Sequence, residues 1–310
     1  MLRVALLSGG TSSERDVSLS GGDQVFTALD KSRYEIVRYD PKFDLARLVA
    51  DAPKLDAALI ILHGPFGEDG TIQGLLDLLG IPYQGSGVLG SSLAMDKCAA
   101  KRMYQAAGIP TPAFFEIGPE DAGRAPALAE QIGYPLVVKP SRAGSSVGMS
   151  IVKSPDQLPG ALALAFENDR SVLLEQYVKG VEITGAVIGN DTLAALPLVE
   201  IVPGGGHEYF DYKAKYTKGE SAEICPARIP EDVARRAREL AVKSHRALFL
   251  RGYSRTDMLV RGDELFVLET NTIPGMTPVS LLPLAAAAAG MNFSALLDRL
   301  IELALEDRKK

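Results

Sequence analysis

Two short stretches of this 310-residue chain carry acids, an amide and a guanidinium at strand spacing: Arg255-Thr256-Asp257 and Glu269-Thr270-Asn271. Residues two apart on a strand share a face, so Arg255 lies with Asp257, and Glu269 with Asn271. Aspartate, glutamate and asparagine are hard oxygen donors, which suit Mg²⁺ holding phosphates. The pairing register decides whether the two acids converge. A three-residue turn at Gly262-Asp263-Glu264 sets Asp257 opposite Glu269 and Arg255 opposite Asn271. A two-residue Gly262-Asp263 turn puts the acids on opposite faces. The first register is the expected one, because otherwise the acids cannot meet. A solvated polar strand face is the plainer use of the same residues.

A second cluster runs Lys139-Pro140-Ser141-Arg142-Ala143-Gly144-Ser145-Ser146-Val147-Gly148 between two strand-like runs. Its small residues leave backbone N–H groups and hydroxyls free to wrap phosphate oxygens. Lys139 adds a cationic point charge at the strand end. An ordinary flexible hairpin has the same composition. Residues 203–221 form a long aperiodic stretch with Gly204, Gly205 and Gly206, then His207, Tyr209, Tyr212, Lys213, Lys215 and Tyr216. Such a stretch is either disordered or functional, and its lysines and tyrosines could close over an anion. Residues 271–280 follow the acidic strand and could offer backbone N–H groups to an oxyanion, or be only a Pro/Gly turn. His63 ends a strand-like run and is either a hydrogen-bonded structural residue or a binding group. Gly85-Ser86-Gly87-Val88-Leu89-Gly90 matches G-x-G-x-x-G, but the acidic strand end required about twenty residues later is missing, so it reads as a turn into a helix.

Apolar residues make up 46% and charged residues 23% of the chain, as in a globular protein, which excludes a fibrous or disordered reading. The net charge of −6 argues against a general nucleic-acid or membrane-surface binder. Cys98 and Cys225 give neither a disulfide framework nor a zinc cluster, and both are expected as buried thiols in a reducing compartment. The apolar run at 4–7 is too short for a signal peptide, and the run at 281–291 is broken by Pro283 and Gly290. A cytoplasmic protein is expected.

The elements that must position these groups follow from periodicity. Strand signals at 4–7, 34–39 and 57–62 alternate with helix signals at 22–29, 43–49 and 71–79, which implies a parallel sheet covered by helices. Ligands of such sheets sit beyond the strands' carboxyl ends, here near residues 9–14 and 63–70. One helix is expected over 91–107, then strands at 136–140 and 149–153, a helix at 155–167 and a strand at 172–177. Further strands are expected at 183–188 and 194–201, a helix at 232–248, and strands at 253–260 and 265–271. A last helix, capped by Asn292, buries Phe293, Leu296, Leu297, Leu300, Ile301 and Ala304. This organisation gives units at 1–92, 93–177 and 178–310.

Taken together these segments resemble the D-alanine–D-alanine ligases of the ATP-grasp superfamily. The likeness covers nearly the whole chain. It is carried by Gly9-Gly10-Thr11-Ser12-Ser13-Glu14-Arg15, His63-Gly64 with Gly67-Glu68-Asp69-Gly70, Met95-Asp96-Lys97, and Val138-Lys139-Pro140 to Gly148. Tyr212 to Tyr216, Arg255-Thr256-Asp257 and Leu268-Glu269-Thr270-Asn271-Thr272 with Pro274-Gly275-Met276-Thr277 complete the order. Pro65-Phe66 fills a variable pair, and Ala143 stands where the family often has an acid.

The resemblance implies an α/β chain, an ATP-grasp fold preceded by a Rossmann-like parallel-sheet domain, that makes D-alanyl-D-alanine for peptidoglycan through a D-alanyl phosphate. It places ATP between the second and third units. Lys97 and Lys139 would bind phosphates under a lid that includes Gly144, Ser145 and Ser146, while Glu175 and Glu182 hold the adenosine part. Two Mg²⁺ ions, with Mn²⁺ as a substitute, would sit on Asp257, Glu269 and Asn271. Arg255 and the Gly275 N–H would stabilise the oxyanion, and Lys215 the transferring phosphoryl group. Glu14, linked through Ser145 and Tyr216, would take the first D-alanine's ammonium beside His63. Ser280 and Leu281 would receive the second D-alanine. A homodimer is implied too. Competing readings are a D-alanine–D-lactate ligase, an ATP-grasp ligase for another acid, and a nucleotide-binding module that has lost catalysis. Tyr216 resembles the dipeptide-forming enzymes, and retention of Arg255 with both acids speaks against the last.

Overall fold

The computed structural model describes residues 1–204 and 221–307. The chain opens with β1 (Leu2–Leu7), α1 (Arg15–Ala28), β2 (Tyr34–Tyr39), α2 (Leu45–Asp51), β3 (Ala57–Ile60) and α3 (Thr71–Leu78). The strands form a parallel sheet in the order β2-β1-β3. Its residues alternate between two cores. Val4, Leu6 and Leu59 face one; Ala5, Leu7 and Ile60 face the other. Burial on both faces explains why these strands read as continuous apolar runs.

Helix α1 starts seven residues before the expected position of 22. Its first turns are polar, but Ser18 points inward, fully buried. Its hydroxyl accepts the Gly9 N–H at 2.8 Å and donates to the Ile61 carbonyl at 2.5 Å. A satisfied buried serine is invisible to hydrophobic periodicity.

The expected single helix at 91–107 is two helices, α4 (Val88–Met95) and α5 (Lys97–Ala106). Asp96 is extended between them and its carboxylate accepts the Ala99 N–H at 3.0 Å, capping α5. Then come β4 (Phe114–Ile117), α6 (Ala125–Ile132), β5 (Leu136–Pro140), β6 (Ser150–Val152), α7 (Leu158–Phe166) and β7 (Val172–Gln176). Their antiparallel sheet has the order β4-β7-β5-β6. Strand β4 and helix α6 are additional to the elements that periodicity predicts.

The third sheet is built from β8 (Val181–Gly189), β9 (Ala194–Ala195), β10 (Val199–Pro203), β11 (Ser221–Ile224), β12 (Gly252–Arg261) and β13 (Glu264–Asn271), with α8 (Glu231–Ala247) packed on it. Its order is β11-β10-β8-β12-β13, with β9 on β8. The expected strand at 194–201 is thus two strands. Helices α9 (Leu281–Ala288) and α10 (Phe293–Asp307) close the chain. Leu297, Leu300 and Ile301 of α10 join Leu6 and Leu59 in one core, which ties the last helix to the parallel sheet. Ala100 and Tyr104 of α5 pack with the third sheet.

Cys98 is buried, but Cys225, just beyond the edge strand β11, is only half-buried, against expectation. Among the described residues no single helix is long and apolar enough to cross a membrane.

Candidate functional site

The β12–β13 hairpin pairs Asp257 with Glu269 and Arg255 with Asn271, as expected, but by a different route. Toward the tip, Arg261 faces Glu264 and Met258 faces Val267, so the turn is the two-residue Gly262-Asp263. Leu268 is then an extra residue, a bulge that shifts the register by one and brings the acids together. Bulges are over-represented next to active sites. The three-residue turn is therefore corrected: the displacement sits beside the acids, not at the tip.

On this hairpin Arg255 holds Asp257 with a two-point fork, Nε to Oδ1 at 2.9 Å and Nη2 to Oδ2 at 2.8 Å. Thr184 Oγ1 donates to Asp257 Oδ1 at 2.6 Å, and Asn271 Nδ2 to Oδ2 at 3.2 Å. Burial pulls the Arg255 guanidinium pKa down, but Asp257, Glu269 and Glu68 outweigh it, so the net direction is up. Glu269 stands 3.3 Å from Lys97 Nζ.

Lys97 begins α5 and ties the Gly/Ser loop down. Its ammonium donates to the Ala143 carbonyl at 2.9 Å, and its N–H to the Ser141 carbonyl at 3.0 Å. Ser141 Oγ donates back to Asp96 at 2.7 Å, which gives Met95-Asp96-Lys97 a structural meaning. Past this anchor Ser145 and Ser146 take left-handed conformations, φ +50° and +59°. Such strain collects at ligand sites. Ser145 Oγ donates to Glu14 Oε1 at 2.5 Å, joining the central loop to the start of α1. Gly144 lies close under the same carboxylate: a Cβ there would stand 3.0 Å from Glu14 Oε2 and press on that side chain.

Most of these groups, though not Asp257 or Ser146, line a cavity of about 740 Å³. Around it lie Glu14, His63, Lys97, Gly144, Ser145, Arg255, Glu269, Asn271, Gly275, Ser280 and Leu281. Ser280 caps α9 in extended conformation, and its hydroxyl accepts the Thr277 N–H at 3.1 Å. The amino end of a helix favours an anion. Burial pushes the His63 pKa down, against the pull of Glu14, so its imidazole is neutral at neutral pH. Glu68 also lines the cavity. Burial raises its pKa to about 8, although the Gly64 N–H donates to Oε2 at 2.7 Å. Its place in a glycine-rich loop just beyond β3 was the signal to assign it.

Away from that lining, Lys139 and Glu175 lie diagonally on one face of adjacent strands, with Nζ 2.6 Å from Oε2. Lys101, one helical turn after Lys97, places its Nζ 2.6 Å from the other oxygen, Oε1. Lys101 was not anticipated; its spacing of four from Lys97 was the available signal. Glu182 lies on β8, opposite Leu259 and Ile201. Lys215 and Tyr216, with Tyr212 and His207, lie outside the described residues.

The G-x-G-x-x-G segment is a packing device. A Cβ on Gly90 would stand 3.0 Å from the Phe249 carbonyl and 3.1 Å from that of Leu248. The third glycine lets α4 approach that backbone.

A parallel-sheet unit, an antiparallel sheet bearing the Lys139–Glu175 pair, and a second antiparallel sheet bearing paired acids and an arginine define an ATP-grasp ligase. A family model for the D-ala D-ala ligase N-terminus matches residues 42–86, and one for the D-ala D-ala ligase C-terminus matches 103–302. A D-alanine–D-alanine ligase of Syntrophobacter fumaroxidans is 60% identical over 99% of this chain and 98% of its own. That of Desulfotalea psychrophila is 54% identical over 99% and 96%. The solved D-alanine–D-alanine ligase of Bacillus anthracis complexed with ATP superposes with a TM-score of 0.86 at 37% identity, covering 100% of this chain and 99% of its own. A D-Ala:D-Ser ligase, VanG of Enterococcus faecalis, gives 0.84 at 33% identity, covering 98% and 99%. The chain belongs to the D-alanine–D-alanine ligase family.

Proposed function

We propose that the protein joins two D-alanines into D-alanyl-D-alanine while cleaving ATP to ADP and phosphate, as a step toward peptidoglycan. The observation that carries this reading is one cavity lined together by an ammonium acceptor, Glu14, an oxyanion donor, Arg255, and a helix amino end at Ser280 and Leu281. Membership of the family supports it.

A carboxylate is a poor acyl donor because its oxygen leaves badly. In this reading a carboxylate oxygen of the first D-alanine attacks the terminal phosphorus of ATP, and ADP departs. The amine of the second D-alanine then attacks the acyl carbon; it loses a proton, and phosphate leaves. Glu14 holds the first ammonium, with Ser145 fixing the carboxylate's direction and neutral His63 beside it. Arg255 and the Gly275 N–H meet the developing oxyanion, worth about 10²–10³-fold in rate per donor. Lys97 and Lys139 receive phosphates, Gly144 and Ser146 cover them, and Glu175 and Glu182 hold the adenosine. Ser280 and the Leu281 N–H take the second carboxylate. The resemblance adds Lys215 at the phosphoryl group and Tyr216 beside Ser145.

Asp257, Glu269 and Asn271 fit divalent ions. Their donors are hard oxygens on one face, and both acids already stand beside cations. Among the described residues no cluster of three or more His, Cys, Asp and Glu side chains is placed to hold a metal, so phosphate and water would complete the coordination. Mg²⁺, or Mn²⁺ in its place, would supply neutralisation of phosphate charge when bound. A cytoplasmic homodimer with units at 1–92, 93–177 and 178–310 belongs to the same reading.

Incubation with ATP, Mg²⁺ and D-alanine tests it. D-alanyl-D-alanine should form in step with ADP, and a chelator should stop it. ADP formation that ignores D-alanine, or a dominant ester when D-lactate is added near neutral pH, would overturn the reading.

A further inference from the structure

Lys101 has no exposed surface, which a lysine tolerates only with a partner. Its ammonium lies 2.6 Å from Glu175 Oε1, donates to Thr111 Oγ1, approaches the Pro112 carbonyl at 3.4 Å and sits over the Phe114 ring at 5.2 Å. Thr111 Oγ1 in turn donates to the Val267 carbonyl at 2.8 Å. Lys139 is held differently: among the described residues its ammonium hydrogen-bonds Glu175 alone. One lysine is anchored at several points and the other at one, and both share a carboxylate that is 2% exposed. Glu175 Oε1 accepts no well-directed hydrogen bond, so the Lys101 contact is charge against charge.

We propose that Lys101 is a positioning residue for nucleotide binding: it keeps Glu175 charge-balanced when Lys139 leaves that carboxylate for an ATP phosphate. The inference rests on the reading of Lys139 and Glu175 as ATP contacts. Removing one partner of a buried ion pair strands the other charge in a poorly polarisable interior. With Lys139 alone, nucleotide binding would carry that penalty. With Lys101 fixed on the opposite oxygen, Lys139 is released while Glu175 stays paired. The directions of titration agree for Lys139 and Glu175, while that of Lys101 runs against its charge, so the geometry of its anchoring carries the inference. Burial pulls Lys101 down despite Glu175; on Lys139 the pull of Glu175 and Glu269 overcomes burial; on Glu175 the two lysines overcome burial and hold the acid ionised.

The test is steady-state kinetics of the full-length variant Lys101→Met. The KM for ATP should rise about 10-fold or more, while kcat at saturating ATP and the KM for D-alanine stay within about 3-fold. Calorimetric binding of ATP should weaken in parallel. Lys139→Met is the control on the underlying reading. If it leaves the ATP KM unchanged, the nucleotide site is misassigned. If it raises that KM and Lys101→Met does not, only the role of Lys101 falls. A Lys101→Met enzyme that loses kcat and melting temperature at unchanged ATP affinity has lost a structural residue, which also overturns the proposal. Should Lys101→Met fail to fold, Thr111→Val loosens the same ammonium; about a 3-fold rise in ATP KM supports the inference, and none overturns it.

Discussion

On the C-terminal sheet, Arg255 grips Asp257 through two parallel hydrogen bonds of 2.9 and 2.8 Å, and Thr184 and Asn271 add two more donors to the same carboxylate. On the central sheet, Glu175 meets two separate ammoniums, each 2.6 Å from a different oxygen. A guanidinium fork fixes direction as well as charge; an ammonium is a point charge with little directional demand. The first arrangement suits a group that must hold one orientation through a reaction. The second suits a cation that has to change partners. Behind Asp257 the fixed side is stiffened further: Tyr104 donates to Thr270 at 2.7 Å, and Thr270 meets Thr256 at 3.0 Å, all buried.

The largest effect should come from replacing the fork. Arg255→Lys keeps the charge and loses the second hydrogen bond, so kcat should fall about 10²–10³-fold with ATP binding nearly unchanged. Dipeptide formation measured beside nucleotide binding checks this; a lysine that restored turnover would erase the distinction between the two sheets.

A middle-sized effect belongs to the loop that spans them. Ser145→Ala and Ser145→Gly both remove the hydroxyl held by Glu14, and each should raise the KM of the first D-alanine about 10-fold, the worth of a hydrogen bond to a charged group. They should differ in stability. Alanine keeps the left-handed strain at φ +50°, while glycine is free of it, so the glycine variant should be more stable by about 1 kcal/mol. Chemical denaturation reads that difference; equal stability would show that the loop's backbone is not strained.

The last effect, read in stability rather than in rate, concerns a third kind of carboxyl. Glu68 makes no ion pair among the described residues, and burial holds its pKa at about 8, above the usual 4.5. An acid whose folded value is raised binds its proton more tightly when folded. Stability it confers is therefore full below the unfolded pKa and is lost as pH rises from about 4.5 to about 8. Without nucleotide or divalent ion, Glu68→Gln should match the wild type near pH 4.5 and melt a few degrees higher by about pH 8. A melting-temperature gap that does not grow across that window would show that Glu68 does not hold its proton in the folded state.

Much of this could be read from residue order. The parallel sheet and the central hairpin with its lysine follow from apolar runs and period-two spacing, whereas the pairing of Asp257 with Glu269 follows from the need for the acids to meet, and the bulge that achieves it does not show in the sequence. What escaped was set by polar contacts rather than by periodicity. Ser18 extends α1, and Asp96 splits a helix because its carboxylate caps the second half. Lys101 and Glu68 escaped because an ionisable group drawn into the interior looks, in sequence, like any surface charge until its surroundings are seen. Strand β11 carries too few apolar residues to announce itself, and β4, with three apolar residues in four, is too short to do so.

The extra residue at Leu268 has a further meaning for how such a hairpin can vary. Because the half-step is taken next to Glu269, the geometry of the paired acids is insulated from the distal end at Gly262-Asp263. That exposed end is free to drift, lengthen or be grafted, while the reacting end keeps its alignment.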